Sequence, residues 1–486
     1  MIRRTLAEGR LGTSRERRWR SGREASRSAV KPSRKPQESE PLVPPLQSVR
    51  DPESGPPPSS KVSDYDYTNF FSGSGDDPFD ILGPFDDWYS EARPWGYYLF
   101  GQAMQTMPTT RVDIVESKTN TRLEGLINFA SYNYLGLSYH PEVIRASVEA
   151  TQKYGCGSAG SPILSGTLDL HEELTAKIAA FKGAESALIF PAGYSANLGV
   201  IGGLMRSGDL VVADQYAHAS IVDAIILSKA KARFFRHNNV ADLERKLRDF
   251  AGKKLVVVEG VYSMDGDLAN LAEIVEVAKR YRARVMIDEA HSAFLFGKNG
   301  RGVAEHFGVE DQVDIHMGTF SKSLGGMGGY VAGSKRLINY LRGFARARVF
   351  SCALAPGVVA GLIRALEIAQ SDPSIRERMW KNVEFAQARL RGAGVDVGDS
   401  ASQVIPIMVR DDVRIFELAE ELIHEGVYVN PVRYPAVGKH RSRFRVSISA
   451  AHSEEELAEG CDIIIRVLKR HGLGLCHEPS TLSITP

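Results

Sequence analysis

Apolar runs and amphipathic stretches alternate through the middle of the chain. The clearest unit has an apolar run at residues 255–259, a stretch at 271–282 with apolar residues at helical spacing, and a second apolar run at 285–288. The two runs are typical of strands, and the stretch between them is typical of an amphipathic helix. Such a strand–helix–strand unit predicts an α/β protein with a mostly parallel sheet.

The pattern changes after about residue 356. Helical spacing at 374–391, 411–425 and 454–470, with an alternating strand at 444–449, predicts a smaller α+β unit. Aromatic residues become frequent from Tyr65 onward, and order is expected to begin there. We therefore predict five parts: a disordered basic and Pro-rich tail at 1–64, an N-terminal segment at 65–130, a large domain at 131–355, a small C-terminal domain at 356–475 and a flexible tail at 476–486.

The composition is that of an ordinary globular protein. The 486 residues are 43% hydrophobic and 24% charged, with a net charge of +1, so nothing points to nucleic acid or to a transmembrane segment. Contact with a membrane surface remains open. The four cysteines lack metal-ligand or disulfide spacing, so we expect no metal site and a reducing cytoplasm.

The first thirty-five residues carry twelve Lys or Arg and three acidic residues, without an apolar core. This composition excludes a secretory signal. A transit peptide remains an alternative to the disordered tail, which the Pro-rich residues 56–58 favour.

One lysine stands among hydroxyls and glycines just after an apolar run. Lys322 lies in Gly-Thr-Phe-Ser-Lys-Ser, after the run at 313–317, and Asp288 and His291 follow the run at 285–288. A lysine that forms an imine and a carboxylate beside a pyridine nitrogen are what pyridoxal phosphate (PLP) requires. His291 could reach the ring's phenolic oxygen, and His218, after the run at 210–213, could stack on the ring.

These candidates all follow predicted strands. In open α/β sheets, ligands bind beyond the carboxyl ends of the strands. Gly193 and Ser263 also follow apolar runs, and Gly193 opens an apolar helix whose N-terminal amides would suit a phosphate.

With these residues in hand, the chain resembles the α-oxoamine synthases, PLP enzymes of fold type I, over roughly residues 120–470. The resemblance rests on Asp-Glu-Ala-His-Ser at 288–292, Gly-Thr-Phe-Ser-Lys-Ser at 318–323, Glu-Gly-Val-Tyr-Ser-Met at 259–264 and Phe-Arg-His-Asn at 235–238. Within the family, these segments are most similar to those of bacterial serine palmitoyltransferases.

The resemblance implies a role for each matching residue. Lys322 would be the Schiff-base lysine and the acid and base at the substrate α-carbon, with Asp288, His291 and His218 around the ring. The remaining cofactor-binding residues would be Gly193, Tyr194, Ser263, Thr319 and Ser321, with Ser351 approaching from the partner subunit. Asn133, Arg433 and Arg445 would bind substrate, the two arginines gripping the amino-acid carboxylate.

The implied reaction is a decarboxylating Claisen condensation by a homodimer with shared active sites. An L-amino acid and an acyl thioester of CoA or acyl carrier protein would give an α-aminoketone, carbon dioxide and free thiol. Serine and palmitoyl-CoA would give 3-ketodihydrosphingosine, the first sphingolipid precursor. Two departures leave the substrates open: Ser161-Pro162 stands where the family has arginine, and Ala353 lacks the family's hydroxyl.

Several alternatives compete with this interpretation. Within the family, alanine or glycine, or a carrier-protein donor, could replace serine and palmitoyl-CoA, as in an aminooxononanoate synthase. A non-catalytic regulatory partner is disfavoured because the lysine is present, and a DEAH-box helicase because no phosphate loop is found. His218 could be a core histidine, Ser263 a turn hydroxyl, and Arg445 part of a solvent-facing row with Arg441 and Arg443.

Overall fold

The computed structural model describes residues 65–71, 75–116 and 118–476. The predicted tail at 1–64 and residues 477–486 of the predicted C-terminal tail lie outside these ranges. The described strands are β1 (Ala103–Met104), β2 (Arg111–Val115), β3 (Arg122–Asn128), β4 (Ser186–Phe190), β5 (Leu210–Asp214), β6 (Lys231–Phe235), β7 (Lys254–Glu259), β8 (Arg284–Asp288), β9 (Ile315–Thr319), β10 (Gly329–Gly333), β11 (Val404–Met408), β12 (Val427–Tyr428), β13 (Asn430–Val432) and β14 (Arg443–Ser447).

Helices cover the faces of these sheets. The α-helices are α1 (Leu82–Ala92), α2 (Pro141–Tyr154), α3 (Asp169–Lys182), α4 (Gly193–Leu204), α5 (Ala219–Ser228), α6 (Val240–Arg248), α7 (Leu271–Arg280), α8 (Val303–His306), α9 (Lys335–Phe344), α10 (Arg346–Val349), α11 (Pro356–Ser371), α12 (Pro373–Gly392), α13 (Arg414–His424) and α14 (Glu454–His471). Short 3₁₀ turns lie at Tyr67–Phe70, Leu137–Tyr139 and Glu310–Gln312. None of the helices in the described ranges is long and apolar enough to cross a bilayer.

The large sheet has seven strands in the order β4-β10-β9-β8-β7-β5-β6. The neighbours from β9 to β6 pair in parallel, and β10 runs antiparallel to both β4 and β9. Every residue of β5 and β9 is buried, as expected when helices cover both faces of a parallel sheet. The mostly parallel sheet predicted from the sequence is therefore confirmed.

The smaller unit is built around an antiparallel sheet, β11-β14-β13, which α12, α13 and α14 accompany. A four-stranded sheet, β1-β2-β3-β12, joins it to the N-terminal segment, because β3 pairs in parallel with β12 from Ile127 to Val427. This pairing joins residues 300 positions apart, and the sequence did not predict it.

Helix and strand ends agree with the pattern to within a few residues. The helix predicted at 271–282 ends at Arg280, because Arg282 takes a positive φ of 55° that no helix accommodates. The strand predicted at 444–449 runs from Arg443 to Ser447, and all five of its residues are buried.

Candidate active site

The parallel strands bring acidic and hydroxyl side chains to one edge of the large sheet. Glu259, Asp288 and Thr319 are the last residues of β7, β8 and β9. The parallel register pairs Glu259 directly with Asp288. Carboxyl ends of parallel strands meet at one sheet edge, so this edge gathers groups that lie far apart along the chain.

Lys322 lies in the turn after β9 and contacts His291. Its Nζ is 2.6 Å from Nε2 of His291, whose Nδ1 is 2.8 Å from the hydroxyl of Tyr134. Burial lowers the pKa of His291 well below its usual range, and the Lys322 ammonium lowers it further. Burial also lowers the pKa of Lys322, to about 8. The pair therefore holds a neutral imidazole against an amine that loses its proton readily.

Asp288 is held at the floor of the site by hydrogen bonds. Its carboxylate accepts from Nδ2 of Asn197 at 2.8 Å and from the amide of Ala290 at 2.9 Å. The same Nδ2 lies 2.8 Å from the hydroxyl of Ser220, which is 2.8 Å from Nδ1 of His218. Asp288 and His218 are thus joined through two side chains.

His218 caps the N-terminus of α5 and lies over this network. Its ring accepts from the amide of Ser220, and its own amide donates to Oε1 of Glu259 at 2.6 Å. Burial lowers the pKa of His218, so the imidazole is neutral. Burial raises the pKa of Glu259 well above its usual range, and the adjacent Asp288 raises it further, which favours a protonated Glu259.

Hydroxyls and backbone amides meet beside the lysine. A Cβ added to Gly193, the first residue of α4, would lie 3.0 Å from Cβ and Oγ1 of Thr319. The hydroxyls of Thr319 and Ser321 are 2.8 Å apart. The side chain of Tyr194 is hydrogen-bonded to Asp223, so its backbone amide is the group left for a ligand. A bare helix N-terminus beside two hydroxyls is a suitable phosphate cradle.

This set of groups fits PLP. The buried carboxylate of Asp288 suits a protonated pyridine nitrogen, the Lys322 amine suits an aldehyde, and the cradle at Gly193 suits a phosphate. These three requirements meet within one buried edge of the sheet.

Arg445 is buried, and its charge acts on Lys322, His291 and His218. It is 6% exposed, its guanidinium lies 4.5 Å from the centre of the Tyr132 ring, and its Nε has no hydrogen-bond partner. It contributes to the lowered pKa values of Lys322, His291 and His218. A buried guanidinium with an unused donor is suited to an anionic ligand.

The idea that Arg441, Arg443 and Arg445 form a solvent-facing row is wrong. Arg443 is 1% exposed and binds Asp265 at 2.7 Å and the carbonyl of Met264 at 3.0 Å. The alternation of residues along β14 did not predict that Arg443 is buried. Its burial depends on an ion pair with Asp265, in the loop after β7, which is distant in the sequence.

Four predicted site residues have no described contact with Lys322. Asn133 donates to the hydroxyl of Ser138, and Ser351 donates to the carbonyl of Ala347. Ser263 is half-buried in the loop after β7. The guanidinium of Arg433 donates to the carbonyls of Tyr65 at 2.5 Å and Asp412 at 3.0 Å, while its face lies over the Phe416 ring.

Sequence reasoning missed Tyr134, Asn197, Ser220 and Glu259. Asn197 follows Gly193 by one helical turn, so helical spacing could have placed it on the same face. Glu259 ends the strand beside the one that Asp288 ends, and a parallel register would have paired them. Tyr134 gave no such signal, because it reaches His291 from a loop 157 positions away.

The two sequence departures lie on loops that pack together. Ser161 donates to the carbonyl of Val349 at 2.6 Å, and the amide of Ala353 donates to the carbonyl of Gly160 at 3.0 Å. The side chains of Leu164 and Phe350, on the same two loops, are 83% and 73% exposed.

Comparison with known proteins gives consistent matches. The family model for aminotransferase class I and II matches residues 124–464. A serine palmitoyltransferase of Sphingobacterium spiritivorum is 40% identical over 382 residues, 78% of this chain and 94% of that protein. An 8-amino-7-oxononanoate synthase of Bacillus subtilis is also 40% identical, over 346 residues, 71% of this chain and 88% of that protein.

Solved structures give a similar result. A serine palmitoyltransferase variant from S. paucimobilis with bound PLP superimposes with a TM-score of 0.76 and is 34% identical. The match covers 81% of this chain and 99% of that one.

Proposed function

Because the chain belongs to the class I and II aminotransferase family and, within it, to the α-oxoamine synthases, which are PLP-dependent acyltransferases, we propose that it condenses L-serine with a long-chain acyl thioester. With palmitoyl-CoA the products are 3-ketodihydrosphingosine, carbon dioxide and free CoA. This is the first step of sphingolipid synthesis.

The contact between Lys322 and His291 carries this proposal. An amine with a pKa of about 8 is largely protonated at neutral pH, yet it loses a proton far more readily than an ordinary lysine. PLP, when bound, accepts electron density from the substrate α-carbon and makes its proton acidic. Lys322 holds or moves that proton, and the neutral His291 orients the amine through Nε2.

The remaining residues position the reactants. Asp288, which Asn197 holds by a hydrogen bond, would pair with the pyridine nitrogen, and His218 would stack on the ring. Gly193, Tyr194, Ser263, Thr319 and Ser321 bind the cofactor, and Thr319, Ser321 and the two helix amides hold its phosphate. Arg445 binds the substrate carboxylate with the donor that the protein leaves unused, and Arg433 and Asn133 complete the substrate site.

A homodimer in a reducing cytoplasm is part of the proposal. The exposed loops at Leu164 and Phe350 would form the interface, and Ser351 beside them would approach the phosphate of the neighbouring subunit. The four free cysteines suit a reducing compartment.

The visible absorbance of PLP-loaded protein tests the proposal. Titrations with L-serine, L-alanine, glycine and L-threonine should change the cofactor bands saturably with serine, and palmitoyl-CoA should then release carbon dioxide. Arg445→Ala should weaken serine binding at least tenfold while PLP binding changes little, since the lost group contacts substrate. No cofactor band with excess PLP would overturn the assignment.

A second candidate uses another amino acid or donor. The 8-amino-7-oxononanoate synthase of B. subtilis is as similar to the chain as the serine palmitoyltransferase of S. spiritivorum. The same titration separates the two, because a saturable response to alanine or glycine, with none to serine, would favour this sister activity.

A further inference from the structure

Arg445 is one of the residues that line a mostly apolar pocket. Its volume is about 470 Å³, within the roughly 300–1,000 Å³ typical of small-molecule sites. Its walls are mostly aromatic and aliphatic, contributed by Tyr67, Trp88, Tyr97, Phe100, Tyr132, Met264, Phe416, Asn430, Pro431, Val432, Arg433, Tyr434, Pro435, Ala436 and Arg445.

One wall comes from residues 65–100, which precede the part of the chain that the family model matches. Here Tyr67 packs against Trp88, with ring centres 6.2 Å apart, and against Phe100 at 6.5 Å. Phe100 in turn meets Phe416 of α13 edge to face at 5.9 Å. The aromatic segment is thereby packed against α13.

Some of the residues that line the pocket act on residues of the candidate active site or adjoin them in the chain. Arg445 lines it and acts electrostatically on Lys322. Tyr132, also in the lining, lies two residues from Tyr134, which is hydrogen-bonded to His291. Met264, also in the lining, is adjacent in the chain to Ser263. Cationic groups lie at Arg445 and Arg433, and apolar surface makes up most of the rest.

We propose that this pocket binds the acyl chain of the thioester substrate, with the aromatic segment at 65–100 as its outer wall. The pocket lining has two arginines, and most of its other residues are aromatic or aliphatic. This lining suits a ligand with one polar end and a long apolar part, and so favours an acyl chain over a polar headgroup. The inference rests on the proposed function and specifies its acyl donor: a long-chain thioester that this segment selects.

Phe100 offers a direct test. It is 38% exposed and lines the pocket, whereas Phe79 belongs to the same segment, is 69% exposed and is not part of the lining. Phe79→Ala therefore serves as the matched control for Phe100→Ala. Phe100→Trp adds bulk at the same position and keeps the aromatic packing.

Binding is measured first, on PLP-loaded protein without amino acid, by calorimetry. The probes are free CoA and the octanoyl, dodecanoyl and palmitoyl thioesters of CoA. Each methylene that the pocket buries should tighten binding about threefold to fourfold. Phe100→Ala should flatten this dependence and Phe100→Trp should shift the preference to shorter chains, while Phe79→Ala follows the wild type.

The outcomes separate this inference from the proposed function. If serine perturbs the cofactor bands and ketone forms, but Phe100→Ala and Phe79→Ala share one chain-length dependence, the pocket assignment is wrong and the reaction stands. If palmitoyl-CoA binds no tighter than free CoA, the acyl chain has no site here. If no amino acid perturbs the bands, the proposed function itself fails, and chain-length-dependent binding would still support the pocket.

Discussion

Lys322 owes its reactivity to its surroundings. Burial lowers the pKa of its amine to about 8, Asp288 and Glu259 act in the opposite direction, and Arg445 reinforces the lowering. A lysine in water has a pKa of about 10.4 and is almost wholly charged at pH 8. In this site a large fraction of the amine is neutral at that pH.

The pKa of Lys322 predicts the pH dependence of PLP uptake. Only the neutral amine attacks the cofactor aldehyde, so the rate at which apoprotein takes up PLP should rise with pH and level off above about 8. Stopped-flow absorbance measures this rate. Arg445→Leu removes a cation that lowers the pKa and should move the inflection to higher pH. A wild-type inflection near 10 would contradict the prediction.

Replacing Lys322 separates chemistry from folding. Lys322→Ala should reduce ketone formation by at least a thousandfold, because the variant lacks both the covalent attachment to PLP and the proton carrier. The melting temperature should change little, since the amine's hydrogen bond is to a single imidazole. Lys298→Ala, at an exposed position in another loop, is the control and should behave as the wild type. Ketone formation near the wild-type rate by Lys322→Ala would contradict the assignment.

At the scale of helices and strands, periodicity predicted several strands of the large sheet and some of its helices. It located the strands that end at Glu259 and Asp288 and the helix that begins at Gly193, because burial on both faces leaves continuous apolar runs. It did not predict the pairing of β3 with β12 or the buried arginine at 443, since both depend on contacts between segments distant in sequence. Candidate residues at the ends of strands could be predicted from the sequence. Residues that contact another side chain of the site from a distant loop, such as Tyr134, could not.

An ion pair joins the end of α3 to the edge of the sheet. Lys182 and Glu289 have fully buried side chains, and Glu289 immediately follows Asp288. Burial alone would raise the pKa of Glu289, but Lys182 and His316 lower it to about 2. The carboxylate therefore stays ionised in the core and depends on its cation.

Removing the cation should destabilise the fold in a pH-dependent way. Lys182→Met leaves Glu289 buried without its main partner, and we expect a loss of about 3–5 kcal/mol in the free energy of unfolding at pH 7, measured in urea. In the wild type, the stabilisation from the depressed pKa is present above the ordinary value of 4.5 and is lost only as the pH falls toward 2. In the variant, burial raises the pKa, so Glu289 takes up a proton in mild acid and the difference from wild type should shrink.

Lys177→Met on the same helix provides the control. Its partner Glu367 and its own side chain are about one-third exposed, so solvent screens the pair. The expected loss is below about 1 kcal/mol at any pH. A loss as small as this for Lys182→Met would mean that Glu289 is neutral in the folded protein.

At the scale of the whole molecule, the N-terminal segment contributes a wall to the pocket that Arg445 also lines. Residues 65–100 lie outside the range of the family model, yet their rings pack on α13 and line this pocket. Residues 103–128 then pair with the C-terminal unit through β12. The N-terminal segment is therefore connected to the C-terminal unit both by strand pairing and by the rings that line the pocket.

Two loops that pack together carry exposed apolar side chains that would suit a second copy of the chain. Leu164 and Phe350 are 83% and 73% exposed, and their loops are fixed together by Ser161 and Ala353. Apolar side chains this exposed on two adjoining, well-fixed loops are typical of an interaction surface. Leu164→Glu with Phe350→Glu should convert a dimer to a monomer, as measured by light scattering, because each introduced charge would be buried at the interface.

The same double variant tests whether the subunits share the site. If Ser351 beside Phe350 reaches the cofactor phosphate of the other subunit, the monomeric variant should bind PLP at least tenfold more weakly while keeping its far-ultraviolet circular dichroism. Phe79→Glu places the same charge on an exposed ring outside these loops and should leave both mass and PLP affinity unchanged. A monomeric variant with wild-type PLP affinity would show that each subunit holds the cofactor alone, with the phosphate bound by Thr319, Ser321 and the amides of α4 from its own chain.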